Sequence, residues 1–309
     1  MSIRPFYEDT DIALARYALG KGVLAFSTMR PGGVSQGSYA SMNINAYCGD
    51  TAEHIAENRR RLARALGVEV DQILVPHQVH GTETRVVDAQ LLRSSSSERT
   101  ALLEGVDALT TNQPGVCIGV STADCVPVLL YDPIHQATAA VHAGWRGTQQ
   151  RIIGHVLHTM ATQYHTQPSD LRAVIGPAIS LHAFEVGDEV WQAFAEAGFD
   201  MRLIARKEDK WHNNLPLCNR LQLQDLGVPM EQITDSNSCT YTQCEQYFSA
   251  RRLGIQSGRG NSAAPLILAS RGSQGRLSVR VLHRRRVLCS VFCAYQDFSY
   301  LCSIIAKWL

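Results

Sequence analysis

The chain has 309 residues, of which 45% are hydrophobic and 18% charged, with a formal net charge of +1. That is length for one large or two ordinary domains and apolar material for a sizeable core, while the near-neutral balance gives no global signal for nucleic acid or an anionic membrane surface. Nine cysteines, an odd number without a CxxC pair in a chain too large to need disulfide staples, no apolar segment at the start and no run of about 18 apolar residues together indicate a reduced, cytoplasmic protein.

In chain order, Gly22 to Phe26 reads as a short strand, followed by a Gly- and Ser-rich loop carrying Arg30, either a surface excursion or an anion-contacting loop. Asp50 is expected to cap a helix from Thr51 to Leu66 with Ile55, Leu62 and Leu66 on its apolar face, and Gly67 to end it. Ile73 to Val79 is a strand interrupted by Pro76, hence near an edge. Thr84 to Asp88 pairs back or continues the sheet, and residues 89 to 104 read as a polar loop. Asp107 to Thr111 and Val116 to Val120 are strands around a Pro114-Gly115 turn.

A hairpin follows, with strands Val126 to Tyr131 and Gln136 to Val141 around a loop from Asp132 to His135. That register sets Tyr131 opposite Gln136 and, followed outward, Cys125 opposite His142. Directly opposed residues have Cβ atoms about 5 Å apart, close enough for a thiol and an imidazole to share a metal or to act as nucleophile and base. Thr148 is expected to cap a helix bearing Ile152, Ile153, Val156, Leu157 and Met160 on one face. Leu171 to Ile175 is a buried strand, and Glu189 to Ala197 and Leu217 to Leu226 are helical. Strands and helices mix without regular βαβ alternation, which favours a single α+β domain with mixed β-sheets and flanking helices. Residues 269–309 form a basic tail, with Asp297 as its one acid against six arginines and Lys307.

His80, Cys125 and His142 stand at strand ends beside small or turn residues. Two imidazoles and a thiolate are a zinc donor set, and three protein ligands leave a fourth position open, the catalytic arrangement. A polar surface role for each is the plain alternative, and for His77, His155 and His158 an exposed or capping role is the expectation. Gly144-Trp145-Arg146-Gly147 precedes the capped helix, where free N–H groups and the helix dipole make a natural anion site. The alternative is a tight turn with Arg146 solvated.

TADCVPVLL followed by AVHAGWRGT, with QVHG upstream, resembles the polyphenol oxidase or laccase-domain family, also described as bacterial purine nucleoside phosphorylases. FSTMRPGGVSQGSYASMNIN, ENRRRL, VIGPAISLHAFEVGDEV, SCTY and FSARR extend the resemblance over roughly Gly22 to Leu268, a catalytic domain of residues 1–268. It implies zinc ligands at His80, Cys125 and His142, with copper as a second possible occupant, and a fold related to a bacterial toxin deamidase built on a cysteine-hydrolase dyad. It also implies phosphorolysis of adenosine, inosine, guanosine and methylthioadenosine, together with adenosine deamination, by a monomer whose partners are purine nucleosides and phosphate. Asp124 beside the cysteine is then the candidate proton relay, with capping of the strand end as its equal alternative, and Arg146, Arg30, Gly144 and Gly147 stand toward phosphate. Ala250 stands where the family has an aromatic and Asn214 where it has Asp, and both bear on the far wall of the pocket. Two rivals are a copper oxidase of phenols, although no histidine pair has the HxH form of a four-copper laccase, and a metal-free hydrolase using Cys125 and His142. His80 discriminates, because a dyad does not need it.

Overall fold

The computed structural model describes residues 12–266; the expected basic tail lies outside them. The architecture is α+β, two mixed sheets with flanking helices and a small third sheet. Six strands run in the order Ile233–Asp235, Arg172–Ile175, Val126–Asp132, Ala137–Ala143, Ala108–Thr111 and Thr84–Val86. Five more run in the order Leu14–Tyr17, Ala25–Thr28, Gly260–Ala263, Cys117–Thr122 and Ile73–Leu74. The third sheet joins Glu185–Val186, Trp211–Asn213 and Ala205–Lys207.

The central hairpin explains the packing. All seven residues of Val126–Asp132 and of Ala137–Ala143 are buried, because the hairpin is covered on both faces. On one face Val128, Leu130, Ala139 and Val141 join a core with Ile152, Ile153, Val156 and Met160 of the helix Ile152–Tyr164 and with Leu215 and Leu223 of the helix Leu215–Asp225. On the other, Leu129, Tyr131 and Ala140 pack with Ala25 and Val120 of the five-stranded sheet. A strand buried on both faces reads as a continuous apolar run rather than an alternation.

The register of this hairpin differs from the expected one by two residues. Asp132 pairs with Ala137, Tyr131 with Thr138 and Pro127 with His142, so Cys125 is not directly opposite His142. The Asp132 carboxylate is the cause. It accepts the N–H groups of Ile134 at 2.8 Å and His135 at 3.0 Å, and the His135 ring at 2.8 Å, building the loop one residue later while Gln136 takes a left-handed φ of 53°. An even slip keeps every side chain on its face, so Cys125 and His142 still project together.

Other departures are local. Thr51, not Asp50, caps the helix Ala52–Leu66, and Gly67 ends it at a φ of 68°. Residues 89–104 are not a loop. They hold the helices Ala89–Arg93, capped by Asp88, and Ser96–Leu102, whose capping box pairs Ser95 with Glu98. The strand expected from Ile73 to Val79 stops at Leu74. Beyond Pro76 the Gln78 side chain replaces backbone pairing, accepting from Ser121 N and donating to Ser121 O, both at 2.8 Å. Thr148 does not cap the long helix. A separate short helix, Trp145–Gln149, starts at Gly144, and Arg151 in a left-handed conformation opens Ile152–Tyr164. The Thr148 hydroxyl and carbonyl instead accept from Asn219 and Gln222.

Asn58 anchors the long loop between the second strand and the first helix. Fully buried, it accepts from Val34 N and donates to Ser35 Oγ and to the carbonyls of Ser41 and Asn43, all within 2.8–2.9 Å. Asn58→Ala would strand several buried partners at once, so urea unfolding is expected to show a loss of about 3 kcal/mol. A loss under about 1 kcal/mol, the range of an ordinary single hydrogen bond, would show that this loop is anchored elsewhere.

Candidate metal centre

Three chain segments deliver the three donors. His80 ends the loop that leaves the five-stranded sheet, Cys125 lies between the strands Cys117–Thr122 and Val126–Asp132, and His142 belongs to Ala137–Ala143. One ligand atom from each lies within 4.8 Å of the other two, and the two imidazole rings meet edge to face at 4.9 Å between centroids. Tetrahedral bonds of about 2.0–2.3 Å require edges of about 3.3–3.8 Å. The longest separation therefore needs to close by at most about 1.5 Å to hold a metal.

Asp107 arranges this geometry, and the sequence reading missed it. Its buried carboxylate accepts the Nδ1–H of His142 at 2.7 Å. It also accepts the N–H groups of Val79 at 3.2 Å, His80 at 3.0 Å and Gly81 at 2.7 Å. The first bond places the His142 proton on Nδ1 and turns a bare Nε2 toward the centre, the carboxylate–histidine arrangement of metal sites. The other three hold His80 in a left-handed conformation, φ 64°, that a non-glycine residue adopts only when its surroundings enforce it. Burial would raise the Asp107 carboxyl, but the hydrogen bonds and charge of His142 and the Gly81 and Val79 amides hold it below the usual carboxylate range.

Cys125 is prepared in the same way. Burial opposes its ionisation, yet the charge of His142 and hydrogen bonds from His142 and His80 bring the thiol down to about 6. Burial likewise disfavours a charged His142, and the Cys125 thiolate and Asp107 outweigh it, raising that imidazole to about 9. Both shifts favour a thiolate beside an imidazolium when no metal takes the sulfur and Nε2. Gly144 lies under all three donors. A Cβ there would stand 2.9 Å from His80 Cδ2, 3.2 Å from Cys125 Sγ and 3.7 Å from His142 Cε1. A nitrogen–nitrogen–sulfur set with its tautomer fixed by Asp107 and its floor cleared by a glycine fits a metal ion.

The donors open onto a cavity of about 870 Å³ whose wall includes Tyr47, His77, Asp124, Phe184, Arg251 and Arg259, the size of a small-molecule site. Tyr47 stacks on His77 at 4.1 Å. Asp124, at a φ of 87°, uses both carboxylate oxygens, accepting from the Thr240 hydroxyl at 2.6 Å and the Arg251 amide at 2.7 Å. It fixes the backbone just before Cys125 against the helix Ala250–Leu253.

The cations expected to meet phosphate are not on this wall. The Arg30 guanidinium donates to the carbonyls of Ala40 and Cys244 and lies over Phe248. Arg146 is exposed and stacks on Trp145, its Cζ 4.3 Å from the ring centroid. Gly147 serves close packing, since a Cβ there would meet the Gly81 carbonyl at 2.9 Å. Of the two departures, Ala250 does line the cavity. Asn214 does not; it caps the helix Leu215–Asp225 by accepting from Leu217 N at 3.1 Å and lines a separate cavity beside Cys239.

The chain can now be set beside known proteins. A purine nucleoside phosphorylase of Bacteroides thetaiotaomicron is 46% identical over 237 residues, 76% of this chain and 88% of that protein. The adenosine deaminase RL5, from an unknown prokaryotic organism, is 41% identical over 242 residues, 77% of this chain and 92% of its own length. The crystal structure of YlmD from Geobacillus stearothermophilus superposes with a TM-score of 0.78 at 31% identity, covering 85% of this chain and 98% of that one. The model of the family described as multi-copper polyphenol oxidoreductase laccase matches residues 24–267. That span contains all three donors, Asp107 and the cavity wall, and the chain belongs to this family.

Proposed function

We propose that this protein is a zinc-dependent enzyme of purine nucleosides that carries out phosphorolysis of adenosine, inosine, guanosine and methylthioadenosine, and deamination of adenosine. The observation that carries the reading is the convergence of His80, Cys125 and His142 at a cavity of nucleoside size; the names of the relatives, a purine nucleoside phosphorylase and an adenosine deaminase, support it. The free cysteines among the described residues fit a reduced compartment such as the cytoplasm, and no helix of the described residues is long and apolar enough to cross a membrane.

When bound, the metal supplies a Lewis acid that lowers the pKa of water and polarises an oxygen or nitrogen of the substrate. The chain's residues supply the rest. His80, Cys125 and His142 hold the ion, and Asp107 keeps the His142 proton on Nδ1. Asp124 positions Cys125 through the Thr240 and Arg251 contacts, leaving neither carboxylate oxygen free of a donor. The Tyr47–His77 stack and Phe184 offer flat aromatic surfaces to a purine. In deamination, water adds at C6 and ammonia leaves; in phosphorolysis, a phosphate oxygen attacks C1′ as the bond to the base breaks.

The mutual stabilisation of a Cys125 thiolate and a His142 imidazolium favours one second reading, a metal-free hydrolase with Cys125 as nucleophile and His142 as base. Copper on the same three donors would give phenol oxidation as a side activity, the chemistry that the family's description names.

Metal analysis of protein purified without added metal, followed by adenosine and inosine assays, tests the main reading. One zinc per chain and release of adenine with phosphate, or inosine without it, are expected. A zinc form that leaves all four nucleosides untouched would overturn the reading. His80→Ala is expected to remove the metal and both activities, and activity that survives the loss of metal would favour the dyad. Asp107→Asn should weaken metal affinity about 10–100-fold, the cost usual for a lost outer partner of a ligand.

Gly144→Ala separates site from fold. Gly144 has a φ of −67°, so alanine brings no backbone strain, and the contact with His80 and Cys125 is the whole effect. Metal content should fall while the thermal midpoint of the metal-free protein stays within a few degrees; full metal loading would show that the floor yields. Arg146→Ala should change kcat/KM for either reaction by less than about threefold, the scale of an exposed charge. A larger, phosphate-specific loss would place Arg146 at the phosphate after all.

A further inference from the structure

A second cavity, of about 400 Å³, lies beside the first and shares Asn45 and Tyr47 with it. Arg59 and Arg99 line it, together with Ser96, Thr100 and Asp71. Arg59 belongs to the helix Ala52–Leu66, and one of its nitrogens donates to the Ile73 carbonyl at 2.6 Å. Among the described residues no carboxylate comes within 4.0 Å of it. Arg99 donates to the Asp71 carbonyl at 3.1 Å, and its nearest carboxylate oxygen, on Asp71, stands 4.0 Å away on a side chain that is 72% exposed. The Nε of Arg99 is buried without a hydrogen-bond partner.

Half-buried guanidinium groups are normally paired, because removing their charge from water costs more than an unpaired contact returns. Burial is the main influence on Arg59, pulling its pKa below the usual arginine value. Arg30 in this chain shows the contrast, with its guanidinium held by two carbonyls and an aromatic face. Arg59 and Arg99 both line the cavity, each gives a nitrogen to a single backbone carbonyl, and the buried Nε of Arg99 has no partner. Guanidinium donors in a fork match the oxygens of phosphate.

We propose that this cavity is a phosphate-binding site, for inorganic phosphate or for the phosphate end of a nucleotide, held by Arg59 and Arg99. It deepens the nucleoside reading, on which it rests only for what fills the neighbouring cavity. Phosphate chemistry is what that reading requires, and the cations first expected to supply it, Arg30 and Arg146, are turned elsewhere. Asn45 and Tyr47 line both cavities.

Calorimetric titration of the full chain with inorganic phosphate, with adenosine 5′-monophosphate and with adenosine tests the proposal. Saturable binding of phosphate or of the monophosphate is expected, weakened about tenfold or more in Arg59→Met and in Arg99→Gln, as for the loss of charge-assisted hydrogen bonds, with Arg59→Lys intermediate. Arg99→Gln carries the test if Arg59→Met loses stability with its bond to Ile73. Binding of the monophosphate but not of inorganic phosphate would identify an ester as the occupant. Phosphate binding should persist in His80→Ala, which lacks a metal donor. Loss there with retention in the arginine variants would move the anion to the metal centre and overturn the proposal, as would equal binding in every variant or none in the wild type. Failure of adenosine alone to bind would count against the nucleoside reading and leave this site standing.

Discussion

A single buried carboxylate, Asp107, is the contact on which the centre depends. It accepts four N–H donors, three from the loop Val79–Gly81 and one from His142, and the backbone carbonyl of the same residue accepts from His142 N at 2.8 Å. A buried negative charge is costly unless its hydrogen-bonding capacity is filled, and here the filling is done by the two histidine-bearing segments. The charge and the ligand geometry therefore specify each other. Removing the carboxylate would release the His80 loop from its left-handed turn and leave the His142 tautomer unset in one step.

Much of the centre was legible because its donors are chemically unusual residues at strand ends. His80, Cys125 and His142 are readable in that way, and the hairpin that brings two of them together is written in its apolar runs. The register was not, because Asp132 acts through a local side-chain turn that the loop length does not reveal. The error left the prediction of a shared face intact only because it was even. Asp107 was hidden for another reason. An acid at the start of a strand has many uses, and its partners at positions 79–81 and 142 become neighbours only when the parallel strands Thr84–Val86 and Ala108–Thr111 and the antiparallel Ala137–Ala143 are assembled. The helices within residues 89–104, by contrast, were readable in principle from Ser95 and Glu98, a capping box inside a serine run.

Charge was harder to read than metal chemistry. The arginines beside glycine-rich motifs, Arg30 and Arg146, suggest anion binding in sequence, but one is consumed by carbonyls and the other faces solvent over Trp145. Arg59 and Arg99 sit in ordinary helical sequence, where they look like solvated surface residues. What distinguishes them is tertiary: the packing of the helices Ala52–Leu66 and Ser96–Leu102 around Ile73 and Leu103 half-buries both without giving either a carboxylate at short range.

The glycines of the segment from His142 to Thr148 show how the same letters serve two physical ends. As a strand-to-helix turn they suggest free amides and a phosphate. In the fold, Gly144 clears the space in which His80, Cys125 and His142 meet, and Gly147 lets the short helix Trp145–Gln149 rest on the Gly81 carbonyl, one residue beyond His80. Both glycines thus act on the same loop, from beneath its ligand and from beneath its backbone, while Asp107 holds it from the third side. A side chain at Gly144 would press on His80 and Cys125, and one at Gly147 on the Gly81 carbonyl next to His80, so the course of the loop and the meeting of the donors both depend on the absence of a Cβ at these two positions.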